Sequence, residues 1–226
     1  MSDTASATDA ERALSTAAAG IRAVAARLDA TAVVDGRLHA DGAPLTPPTL
    51  ERLADAAVTD AGGVDAAPRI ETRDDTLRPG DPLVVALDPL VGDVAGPCSR
   101  TFVVDGGGGW ERRAAVAVEM AHDAVSRVAE PGLPARRIVD EAVAELGAYG
   151  LGTAETPVAR AVGDPVDFSA DTPLEVGQVF ALAPAAVDPD PETDRGQVRI
   201  GTCYVITESG CRALGDLPAS LSPGAY

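Results

Sequence analysis

Lysine and asparagine are absent from this sequence, and histidine occurs only twice, at His39 and His122. Every one of the 18 basic residues is therefore arginine, set against 35 Asp and Glu for a net charge of −17. A polyanion would be repelled by such a chain, and no arginine stripe with interleaved aromatics is present, which argues against a nucleic-acid partner. Aromatic residues make up 3% of the chain. No apolar run reaches the ~18 residues that a membrane-spanning helix needs, and Met1 to Arg12 lacks a basic segment followed by an apolar one. A cytoplasmic location, away from membranes, is the expectation. Cys98, Cys203 and Cys211 are odd in number and lack CxxC spacing, so they read as reduced, structural thiols rather than a disulfide or zinc framework. A G-x-S-x-G nucleophile elbow is missing too. The four-glycine run Gly106 to Gly109 lacks the lysine of a phosphate loop and reads as a flexible link into the following helix.

What is present is small, acidic and apolar. An acidic, lysine-free, alanine-rich surface stays soluble where molar salt screens charge within about 3 Å, the composition expected of a protein from an extreme halophile. With 226 residues the chain is long enough for one substantial core. Met1 to Thr8 reads as a disordered tail, Asp9 to Leu217 as a single domain, and Pro218 to Tyr226 as a C-terminal tail. Leu14, Ala18, Ile21, Ala25 and Leu28 recur with helical spacing. Asp35-Gly36 between Thr31–Val34 and Arg37–Ala40 predicts a hairpin. Thr46 followed by Pro47 starts a helix through Leu50, Leu53, Ala57 and Val58, which Gly62-Gly63 ends.

The second half follows a similar order. One helix opens at Glu111 and runs through Val116, Met120, Ala124 and Val128. A second, after Pro131 to Pro134, carries Ile138, Val139, Ala142, Val143 and Leu146. Each helical pair precedes β-like runs: Pro82–Leu87 and Arg100–Val104 in the first half, Gln178–Leu182 and Gln197–Thr207 in the second. Two such halves predict an α+β domain with pseudo-twofold αα-ββ symmetry, its helices outside a curved antiparallel sheet and a groove between the halves.

Several strings in that order carry a resemblance. Leu77-Arg78-Pro79-Gly80-Asp81, Leu83-Val84-Val85 and Ser99-Arg100-Thr101-Phe102 come first. Glu130-Pro131-Gly132, Pro173 to Phe180 with Pro184, Val198-Arg199-Ile200 and Val205 to Gly210 follow. Together they resemble the M24 "pita-bread" family of methionine aminopeptidase, Xaa-Pro aminopeptidase, prolidase and creatinase. The resemblance covers roughly Leu45 to Leu217 and implies the family's fold. It also implies a peptidase site with two divalent metals, held by two Asp, one His and two Glu. Such a pair stabilises both the attacking water and the scissile carbonyl.

Placed from its nearest matching string, each ligand position falls on a residue that cannot serve. The two Asp positions fall on Ala86 and Pro97, the His on Arg160, and the two Glu on Ala183 and Gly201. A shift of two residues brings Asp88 to the first position but Ser99 to the second. No shift supplies a histidine in the second sheet region, because His39 lies in the hairpin and His122 in a helix, where both read as structural residues. The substrate-contacting His of the second half falls on Asp167.

The resemblance therefore implies the fold without its metals: a catalytically inactive relative, with no cofactor, whose former active-site groove binds a peptide, a small anionic ligand or a protein partner. Arg160, Asp167, Asp88, Arg100 and Arg199 are the candidate groove residues. Arg160 would project where cations normally sit and pair with a nearby acid or with an anionic ligand. The alternative is a metal-dependent aminopeptidase or Xaa-Pro-type peptidase with a relocated site, for which Asp88, Asp93, Asp164 and Asp167 are the available carboxylates. A regulatory subunit of an active relative is a third reading, and oligomeric state is open.

Overall fold

Alanine lets helices lie close to a sheet, and in this protein it forms much of two separate cores, one under each pair of helices. The computed structural model describes residues 3–73, 75–190 and 192–226, with residues 3–6 in backbone only. Helix α1 (Asp3–Asp29) buries the predicted face of Leu14, Ala18, Ile21, Ala25 and Leu28. It also takes in Asp3 to Thr8, which sequence patterning assigns to a disordered tail; Met1 and Ser2 lie outside the described residues. The reason for the difference is local: alanine is the strongest helix former, and the fully buried Ala10 anchors the turn that follows.

Strands β1 (Ala32–Val34) and β2 (Arg37–Ala40) form the expected hairpin, joined by β3 (Ala43–Pro44). Asp35 and Gly36 both have positive φ, 49° and 71°, as a two-residue turn of this hand requires. Helix α2 (Pro47–Asp60) begins after Thr46 with proline in its first turn. Thr46 does not cap a backbone N–H; its hydroxyl lies 3.0 Å from the Thr49 hydroxyl. Leu50, Ala54 and Val58 are the buried positions of α2. At Gly20 the packing is close enough that a Cβ would lie 2.6 Å from Leu87 Cδ1 and 2.9 Å from Val58 Cγ2.

Strands β4 (Arg69–Glu71) and β5 (Leu83–Leu87) precede a short hairpin, β6 (Leu90–Val91) and β7 (Val94–Ala95), and β8 (Cys98–Phe102) completes the antiparallel sheet β4-β5-β8. All residues of β5 and β8 are buried. Two-sided burial explains why their sequences do not alternate apolar with polar.

The second half opens with α3 (Trp110–Val128) and α4 (Arg136–Ala148). Of the predicted face of α3, Ala124 is buried but Val116 is exposed, and the rest of the buried face is made by Ala114, Ala117, Val118, Ala121 and Val125. Valine at position 116 misleads because the contact is made by small residues, which carry little hydropathy but permit close approach. In α4 the buried residues are Ile138, Ala142 and Leu146, while Val143 faces solvent.

Strands β9 (Gly152–Thr153), β10 (Ala159–Val162), β11 (Val179–Leu182), β12 (Ala185–Val187), β13 (Gln197–Arg199), β14 (Thr202–Thr207) and β15 (Gly210–Ala213) follow. They form the antiparallel sheets β10-β11-β14-β15 and β13-β12-β9. The single run predicted over Gln197–Thr207 is thus two strands, broken at Ile200-Gly201. There the halves meet: the Ser99 N–H donates to Gly201 O (3.1 Å) and the Gly201 N–H donates to Ser99 O (2.9 Å).

The last residues do not form a loose tail. Pro223–Ala225 makes a 3-10 turn, the Val103 N–H donates to Leu221 O (2.9 Å), and the Tyr226 ring sits edge-on to Phe102 with centroids 5.0 Å apart. The Tyr226 hydroxyl donates toward Pro218 O and Ser220 O (2.7 and 3.0 Å). A terminal aromatic ring with satisfied polar and apolar ends outweighs the Pro- and Gly-rich composition around it.

Candidate functional site

A cavity of about 140 Å³ lies between the halves, and Ala86, Pro97, Arg160, Ala183 and Gly201 all line it. These five positions are spread over more than a hundred residues of sequence. Ala86 comes from the middle of β5, Pro97 from the turn into β8, Arg160 from β10, Ala183 from the end of β11, and Gly201 from the break between β13 and β14.

Register explains the convergence. Ala86 faces Ser99 across β5 and β8, Ser99 bridges to Gly201, and Arg160 faces Ala181 across β10 and β11. Space at the centre is taken by hydroxyl rather than carboxylate: a Cβ on Gly201 would lie 2.4 Å from Ser99 Oγ and 3.0 Å from the Ala183 methyl.

Two of the candidate groove residues pair with each other. The Arg160 guanidinium donates to Asp88 Oδ2 at 2.5 Å. Arg199 also lines the cavity. Its side chain is 7% exposed and donates to Glu71 Oε1 at 2.6 Å. The Arg199 backbone is locked to β8, because its N–H donates to the Thr101 hydroxyl (2.8 Å) and that hydroxyl donates to Arg199 O (2.9 Å).

Arg100 and Asp167 do not join them. The Arg100 guanidinium is turned away from the cavity and donates to four backbone carbonyls: Ser99 (2.7 Å), Gly201 (2.8 Å), Pro218 (2.8 Å) and Leu217 (3.0 Å). A retained Arg in a motif string thus has a structural use, fastening the C-terminal segment to the strand break. Asp167 is exposed and accepts hydrogen bonds from the Ser169 N–H and hydroxyl, which hold its carboxyl below the usual carboxylate range. It is spent on a local turn. Asp93 and Asp164 are exposed as well.

His122 is a satisfied interior residue. Its Nε2–H donates to Ile200 O and its Nδ1 accepts from the Tyr204 hydroxyl, both at 2.9 Å. Because a carbonyl can only accept, the proton sits on Nε2. Burial pushes the His122 pKa down to about 4. All three cysteines are free, and burial pushes each thiol up, so none is poised as a thiolate.

The most informative feature of the cavity is its unmet hydrogen bonding, which sequence reasoning does not find. Six buried side-chain polar atoms have no partner among the described residues, and four of them belong to residues lining this cavity: Asp88 Oδ1, Ser99 Oγ, Thr156 Oγ1 and Arg199 Nε. A buried group left without a partner costs about 1–3 kcal/mol, more when charged, so this clustering places a local energetic cost beside the cavity. Ser99 carried a faint signal, as the first residue of the retained Ser99-Arg100-Thr101-Phe102 string. Thr156 carried none.

Residues 5–208 match metallopeptidase family M24, and the chain belongs to that family. The match takes in the first helix and the hairpin. Prolidase from Pyrococcus furiosus shares the fold at a TM-score of 0.77 and 19% identity, over 93% of this chain and 64% of its own. Prolidase from Pyrococcus horikoshii OT3 gives 0.78 and 20%, over 95% and 62%. X-Pro aminopeptidase from Thermotoga maritima MSB8 gives 0.76 and 15%, over 94% and 61%. At these identities the likeness shows the pita-bread fold, and the chain spans less than two thirds of each of these structures. No curated protein matches the sequence.

The residues present do not fit two divalent cations. Among the described residues lining the cavity Asp88 is the single carboxylate, and it is engaged by Arg160. No group of three or more His, Cys, Asp or Glu among the described residues is arranged to hold a metal ion. Alanine, proline and glycine offer no side-chain donors, and a guanidinium repels a cation.

Proposed function

We propose that this M24 chain binds a ligand in the groove between its halves without hydrolysing it. One observation carries the reading: the five positions to which the resemblance assigns the metal donors line a single cavity as Ala86, Pro97, Arg160, Ala183 and Gly201. A dinuclear site needs converging anionic oxygens, and here an arginine–aspartate pair takes their place. The occupant belongs to one of three classes, a peptide, a small anionic ligand or a protein partner, and the protein works in a salt-rich cytoplasm. Elemental analysis of the purified chain, combined with release of N-terminal residues from a peptide panel under Co(II) or Mn(II), tests the reading. Substoichiometric metal and no turnover are expected. Stoichiometric metal with turnover would establish a relocated metallopeptidase site instead.

A further inference from the structure

We draw no further inference here: the strongest candidate, the surface patch at the free edge of strand β1 where Val33 and Val34 are 45% and 44% exposed, carries nothing, because it is an unpartnered apolar face and nothing in the structure shows what covers it.

Discussion

Arg100 and Arg160 carry the same charge into neighbouring parts of the fold and have opposite energetic weight. Arg100 is 4% exposed and satisfies four carbonyls, so Arg100→Ala strands buried acceptors at the strand break and at Leu217-Pro218. Urea unfolding should show a loss of about 3 kcal/mol or more, and Arg100→Lys should recover little of it, because an ammonium cannot reach the same fan of acceptors. The Arg160 side chain is 45% exposed, and Arg160→Ala should change stability by no more than about 1 kcal/mol in the same assay. His122 gives a pH signature. Its pKa is about 4 in the fold against 6.5 for the free side chain, so below pH 6.5 the unfolded chain takes up a proton that the folded chain refuses. Stability should therefore fall as pH drops from 6.5 toward 4, by on the order of 3 kcal/mol in all. Denaturation between pH 7 and 5 should show a shallower decline for His122→Gln. An equal slope in the variant would refute this origin. Sequence placed Arg160 and Arg199 at the cavity by counting from intact strings, but it could not tell that Arg100 turns away, because the direction of a strand side chain depends on a register set by its neighbours.

At the scale of elements, the break between β13 and β14 decides the site. Gly201 is there because its Cβ would meet Ser99 Oγ, a conflict of packing and not of backbone angle. Gly201→Ala should lower stability by about 1–3 kcal/mol. Ser99→Ala introduced beside it should restore part of that loss, which a double-mutant cycle would register as coupling. Additive effects would show that the two residues do not compete for the same space. The helices were readable as helices from period alone, yet the buried face of α3 was not. Its contact is made by Ala114, Ala117 and Ala121, and hydropathy patterning follows large apolar side chains such as Val116, which is exposed. The hairpin at Asp35-Gly36 was readable because its turn chemistry is local.

At the scale of the whole molecule, the net charge of −17 sets a background against which every contact works. Self-repulsion between like charges falls as salt shortens the screening length from about 10 Å at 0.1 M to about 3 Å at 1 M. The melting temperature should rise on moving from 0.1 M to 2 M chloride, more than for a chain of balanced charge. A melting temperature that is flat or falling with salt would mean that surface ion pairs such as Arg136–Asp171 and Arg195–Asp188 outweigh the repulsion. The two halves are joined at Ser99–Gly201, Thr101–Arg199 and Glu71–Arg199, all beside the cavity. Any ligand that fills the cavity therefore bears on the seam of the molecule.

Sequence by itself determined the αα-ββ order, the turn at Asp35-Gly36, the family and the positions that should meet, because these depend on local propensity and on strings preserved in order. Tertiary structure alone decided that Ala86, Pro97, Arg160, Ala183 and Gly201 share one cavity, that Arg160 pairs with Asp88, and that Arg100 and Asp167 serve elsewhere. It also decided that, among the described residues, four buried polar atoms around that cavity are left without partners. Burial and hydrogen-bond satisfaction are properties of segments brought together from distant parts of the chain, and no window of sequence contains them.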